Sequence, residues 1–148
     1  MYRLRDFTFC TIHVFLARSC ETGWATFGKY CYYFGKSKKT WNDAQNICKA
    51  HNGNLIKIEN AVENWFIKSV VTEMGIHAIW IGANDKHREG TMVWVSDKTN
   101  VSKGFSNWYP GEPNNSGSSE HCVQLWYDGG YKWNDAHCSR KLGFICKT

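Results

Sequence analysis

Six cysteines constrain this chain more than any other feature. They stand at positions 20, 31, 48, 122, 138 and 146, spread across residues 20–148. The full sequence holds seven, and the odd one, Cys10, lies in an N-terminal stretch of different character. There MYRLRD carries Arg3 and Arg5, FTFCTIHVFLA is eleven mostly apolar residues, and ARS ends in a small residue, which is the layout of a secretory signal peptide. An apolar stretch that short does not span a bilayer. Assigning residues 1–19 to a signal peptide leaves 20–148 as one domain with an even set of cysteines. In a secreted, extracellular chain that set implies disulfides. Many connectivities remain open, and counting does not choose among them.

The length suits a single domain with its own core. Eight Trp, eight Phe and seven Tyr supply the apolar area for it, so the chain is not a disordered one. Removing three Arg and one Asp with the signal peptide leaves 15 basic against 12 acidic side chains, a net charge of only +3. That balance, without an accompanying motif, gives no support for nucleic acid as a partner. No later segment is long and apolar enough to insert stably in a membrane.

Two helices are legible in the first half. In TWNDAQNICKAHNG, Thr40 is an N-cap with Asp43 three residues on, Trp41, Ala44, Ile47 and Cys48 share a face, and Gly53 closes the end. In NAVENWFIKSVVTEMG, Asn60 and Glu63 form a cap-like pair, Val62, Trp65, Phe66 and Val70 line a face, and Gly75 stops the helix. The runs YCYYF, NLIKI, AIWIGA, MVWVS, CVQLWY and GFICK read as strands. Lys36, Lys38 and Lys39 read as a solvated face. The polar stretch NWYPGEPNNSGSSEHC, Asn107 to Cys122, is a loop of the length that is usually functional or disordered.

The tetrapeptide WNDA occurs twice, at Trp41–Ala44 and Trp133–Ala136, in unlike surroundings. The first lies on a helix, where Asn42 and Asp43 are ordinary first-turn residues. The second lies near a cluster of oxygen-bearing side chains: Glu112, Asn114 and Glu120 in the loop, then Asn134 and Asp135. Three carboxylates and two amide carbonyls are the donors a hard divalent cation such as Ca²⁺ takes. If CVQLWY and the second WND pair as antiparallel strands around the turn at Asp128 to Gly130, the loop and these residues become neighbours.

The run from Cys20 through Cys146 resembles a C-type lectin-like domain over residues 20–147. The resemblance rests on Cys20 and Cys31, the helix ending in Cys48, Trp80-Ile81-Gly82-Ala83, Glu112-Pro113-Asn114, Glu120 before Cys122, Trp133-Asn134-Asp135, Cys138 and Cys146. It implies an α+β fold of two helices, antiparallel sheets and a long calcium-binding loop. It also implies disulfides Cys20–Cys31, Cys48–Cys146 and Cys122–Cys138. Glu112, Asn114, Glu120, Asn134 and Asp135 would hold a principal Ca²⁺, with Glu112, Asn114, Glu120 and Asn134 also meeting two neighbouring sugar hydroxyls. The order Glu112-Pro113-Asn114, with Pro113 in cis, is the one that the family associates with mannose, glucose, N-acetylglucosamine and fucose. Glycans on cell surfaces or glycoproteins are then the expected partners, with oligomerisation as a route to avidity.

Asp85, Glu89, Asn115 and Glu120 resemble an auxiliary calcium site, but Asn115 and His121 each stand where the family usually has an acid. Asn114-Asn115-Ser116 and Asn100-Val101-Ser102 are glycosylation sequons, and a glycan on Asn114 would consume a proposed ligand. A zinc site of His121, Cys122, His137 and Cys138 is chemically conceivable, yet a secreted chain oxidises such thiols. Glu112 and Glu120 as a glycosidase pair fail because a carboxylate tied to calcium is a poor proton donor. The chain is expected to bind rather than catalyse. The competing expectation is a lectin-like module for protein, ice or mineral, with calcium in a structural role and Trp108, Tyr109, Trp126 and Tyr131 as a recognition surface.

Overall fold

A computed structural model describes residues 19–148, so the expected signal peptide falls outside the described residues apart from Ser19. The elements in chain order are β1 (Ala25–Phe27), β2 (Tyr30–Lys39), α1 (Trp41–Ala50), β3 (Asn54–Leu55), α2 (Ala61–Glu73), β4 (Ala78–Asn84), β5 (Val93–Trp94), β6 (Cys122–Trp126), β7 (Lys132–Ala136) and β8 (Leu142–Lys147). The strands join in the order β1-β2-β8-β4-β6-β7, with β3 on β8 and β5 on β4. Among the paired strands of the described residues, β4 and β8 alone run parallel. The α+β architecture is therefore as expected. The run NLIKI contributes just two strand residues, although Ile56 and Ile58 are fully buried. The three-residue β1 gave no sequence signal of its own.

Helix α1 forms where the N-cap pattern puts it. The Thr40 hydroxyl accepts from Asp43 N at 3.2 Å, and Gly53 N closes the other end on Cys48 O at 2.9 Å. Trp41, Ala44 and Cys48 are buried, and Trp41 Nε1 donates to Ile81 O across to β4. Gln45 is buried too, because both ends of its amide are used: Nε2 donates to Asn54 Oδ1 and Oε1 accepts from Leu55 N, each at 2.8 Å.

Helix α2 corrects the expected face. Val62 and Trp65 are 64% and 67% exposed, and the buried positions are Glu63, Ile67 and Val71, with Phe66 and Val70 half-buried. The reason is a set of partners for a charge. Glu63 accepts from Tyr32 Oη at 2.7 Å and Glu59 N at 2.8 Å, and pairs with Lys147 Nζ at 2.7 Å. A carboxylate so satisfied can enter the interior, whereas an unpaired one cannot. Burial, then the Glu63 hydrogen bond, pushes the Tyr32 phenol well above its ordinary pKa, so it stays a donor.

Three disulfides join Cys20–Cys31, Cys48–Cys146 and Cys122–Cys138, the pairing the resemblance implied. The last removes both thiols from any zinc site. Two core clusters result: one around Trp94, Trp133, Ile79 and Ile81, the other where α1 meets Trp80, Phe144 and the Cys48–Cys146 bridge. That bridge spans 98 residues, against 11 for Cys20–Cys31. In the chain-entropy account, loops of those lengths correspond to about 4.7 and about 2.8 kcal/mol. Replacing Cys48 and Cys146 by Ala is therefore expected to lower the unfolding free energy in urea more than replacing Cys20 and Cys31, by about 2 kcal/mol.

Candidate functional site

The long loop is fastened to β7 before it departs. Trp133 N donates to Asn107 O at 2.8 Å and Tyr109 N to Trp133 O at 2.9 Å. Tyr109 also packs edge-on against Trp126 at 5.1 Å between ring centroids, and Glu112 N turns back to Tyr109 O. A Cβ on Gly129 would lie 2.8 Å from the Trp126 ring and 2.9 Å from Tyr109, so that position has to be glycine. Beyond this base the Glu112–Pro113 peptide is cis.

Asp135 organises the distal part of the loop. It is only 1% exposed and accepts from Asn114 N at 3.1 Å and Asn115 N at 2.8 Å. Asn115 adopts left-handed backbone with φ 45°, which Asn tolerates better than most residues. Asn114 Nδ2 donates to Glu112 Oε1 at 2.8 Å, Ser116 N donates to Asn114 Oδ1 and Glu120 Oε2, and Glu120 N donates to Asn115 Oδ1. Glu112, Asn114, Glu120 and Asp135 thus belong to one hydrogen-bonded set. Asn134, half-buried on β7 opposite Gln124, adjoins that set through the chain and has no side-chain hydrogen bond among the described residues.

The electrostatics of this set are unbalanced. Burial, followed by the neighbouring Asp135 carboxylate, pushes the Glu112 carboxyl up to about 7, and Glu120 adds to the effect. Among the described residues no Lys or Arg pairs with Glu112, Glu120 or Asp135. Carboxylates gathered without a cationic side chain, beside amide oxygens, suit an oxygen-ligated divalent cation.

Of the residues of the expected auxiliary site, Asp85 and Glu89 gather around His121. Asp85, Glu89 and His121 offer ligand atoms all within 4.8 Å of one another. His121 Nδ1 lies 3.0 Å from Asp85 Oδ1 and 3.1 Å from Glu89 Oε2, while Gly90 N holds the other Asp85 oxygen. Asn115 Oδ1 accepts from Glu120 N at 3.1 Å within the loop. Sequence reasoning met His121 as a departure from a pattern and as a conceivable zinc ligand, whereas the fold sets it between Asp85 and Glu89. In the first WNDA, Asn42 and Asp43 are exposed, and Asn42 Oδ1 accepts from Lys86 Nζ. Of the four aromatics offered as a recognition surface, Tyr131 is buried, Trp108 and Trp126 are half-buried, and Tyr109 is exposed at 36%.

The profile of the lectin C-type domain matches residues 37–148. The chain belongs to the C-type lectin domain family. It is 36% identical to a perlucin-like protein of Mytilus galloprovincialis, over 86% of this chain and 82% of that one. It is 40% identical to the low affinity immunoglobulin epsilon Fc receptor of Mus musculus over 86% of this chain, but spans only 37% of the receptor. Among solved structures, the cow CD23 carbohydrate-recognition domain, crystallised in the presence of a GlcNAc2Man3 oligosaccharide, superposes with a TM-score of 0.76. The sequences there are 36% identical, and the match covers 88% of this chain and 95% of that one. As a C-type lectin domain, the chain has the fold of carbohydrate-binding proteins, and among the described residues no helix is long and apolar enough to cross a membrane.

The Glu112 shift predicts a pH effect in chelating buffer. A carboxyl whose folded pKa is raised contributes stability that is full below its unfolded value and lost as pH rises through the folded one. The melting temperature in chelator should therefore rise as pH is lowered from about 8 to about 5.5. Glu112→Gln should flatten that rise, and an equal slope in both proteins would show that the groups responsible lie elsewhere.

Proposed function

We propose that this domain is a secreted, calcium-dependent lectin that takes mannose-type hexoses at the Glu112–Asn114 loop. The observation that carries the reading is the side-by-side presentation of the Glu112 carboxylate and the Asn114 amide, on a loop pinned by two backbone hydrogen bonds to Asp135. Glu112, Asn114, Glu120, Asn134 and Asp135 would hold the ion. When bound, calcium supplies a hard centre of high coordination number whose open positions accept hydroxyl oxygens. The chain's own groups complete recognition: Glu112 and Glu120 accept hydrogen bonds from sugar hydroxyls, and the Asn114 and Asn134 amides donate to them. Asp135, buried, acts from below by fixing the loop backbone. The mannose-containing oligosaccharide present with the cow CD23 domain supports the mannose-type assignment, as does the lack of an aromatic residue between Asn115 and Ser119. Binding rather than catalysis is the role of such a site.

A glycan array run with calcium and with chelator tests the reading. Signal for mannose, N-acetylglucosamine or fucose that chelator abolishes is expected. Signal that survives chelation, or none, would favour a protein-, ice- or mineral-binding module. Asn134→Ala and Asp135→Ala should each weaken binding to immobilised mannose at least about tenfold, while Asn42→Ala with Asp43→Ala leaves it within about twofold. Glu112→Gln with Asn114→Asp exchanges acceptor and donor without changing the site's charge, and should move preference toward galactose in competition assays.

A further inference from the structure

A cleft of substantial size lies away from the loop. It lies at the far end of the sheet, encloses about 570 Å³, and has Met74 and Ile76 among its apolar lining residues and Lys36, Lys38, Arg140 and Lys141 among its polar ones. Its volume is in the range of small-molecule sites. No carboxylate lines it, and none of the four cations forms an ion pair among the described residues.

Two local features place these charges together. Between Gly35 and Lys39 strand β2 takes four steps while its partner β8 takes two, from Phe144 to Leu142. The extra residues form a bulge at Lys36–Lys38, the kind of irregularity that re-aims side chains. Arg140 and Lys141 sit on the tight turn before β8, where Arg140 N donates to His137 O. The cleft adjoins Ala78, which pairs with Trp126, whereas the other end of β4, Asn84, pairs with Cys122 next to the loop. Along β4 the two places are about 20 Å apart.

We propose that this cleft is a second binding site, separate from the loop, for a sulfated glycan. Unpaired cations around an apolar floor suit a ligand that carries fixed negative charge on a ring with an apolar face. The concave form excludes a flat bilayer from reaching the floor. Single-stranded nucleic acid calls for aromatic stacking platforms, and the one ring lining this cleft, His77, is already stacked on Tyr127 at 4.4 Å.

The test is titration calorimetry of the full domain with a size-defined heparin oligosaccharide in chelating buffer, which silences the loop. Binding is expected there, and it should weaken at least about fivefold in Lys36→Gln/Lys38→Gln and again in Arg140→Gln/Lys141→Gln. Lys49→Gln/Lys68→Gln, the same change of charge on exposed helix surface, should cost less than about twofold. Amide shifts at Ala78 and Gly143 should move on titration in the unmodified protein. Equal losses in the cleft and control variants would reduce the effect to net charge and overturn the site. Binding of the desulfated oligosaccharide with unchanged affinity, or tighter cleft-dependent binding of duplex DNA or phosphatidylserine vesicles, would overturn the assignment to sulfated glycan.

Discussion

Strand β8 is the constraint on which the other elements depend. It hydrogen-bonds to β2, β3 and β4 and is bridged to α1 through Cys146. Just past β8, Thr148 also closes on β2, since Cys31 and Thr148 exchange both backbone hydrogen bonds. Lys147 extends this role into the interior by pairing with Glu63 and Glu59. Most of these contacts are distant in sequence. They bring no stability until the long loops between them have closed, which is why a covalent tie between residues 48 and 146 has so much entropy to remove.

From this frame the sheet carries the β6–β7 hairpin outward, and the hairpin carries the loop. Asp135 links them, facing inward from β7 and committing both oxygens to loop amides. The result is a rigid base under groups that repel one another. Burial and the Asp135 carboxylate beside it hold the Glu112 pKa up, a tension that a bound divalent cation would relieve. On the proposed reading, proton and cation would compete for the same oxygens.

Much of this was readable from residues alone, where the signals were local. Thr40 with Asp43 and Asn60 with Glu63 marked both helix starts, and alternating apolar runs marked most strands. The failures have a common cause, a partner remote in sequence. Glu63 reads only as the cap-like partner of Asn60, because nothing near it announces Lys147 or Tyr32. The stretch Lys36–Lys38 reads as plain solvated charge, and only the register against β8 reveals a bulge beside a cleft. His121 stands out in the sequence as a departure from a pattern and as a conceivable zinc ligand, while its partners Asp85 and Glu89 arrive from the turn after another strand. The disulfide pairing, which counting left open, came from family resemblance.

The way the loop is anchored has a consequence for how such a domain diversifies. Residues 113–119 are bracketed by the Tyr109–Trp126 contact over Gly129 on one side and by the Cys122–Cys138 bridge on the other. None of residues 113–119 contributes a side chain to either core cluster. The segment has the anchoring expected of a replaceable cassette, in which substitutions leave both core clusters untouched. Chemical novelty and structural inheritance are thereby kept on separate stretches of one chain.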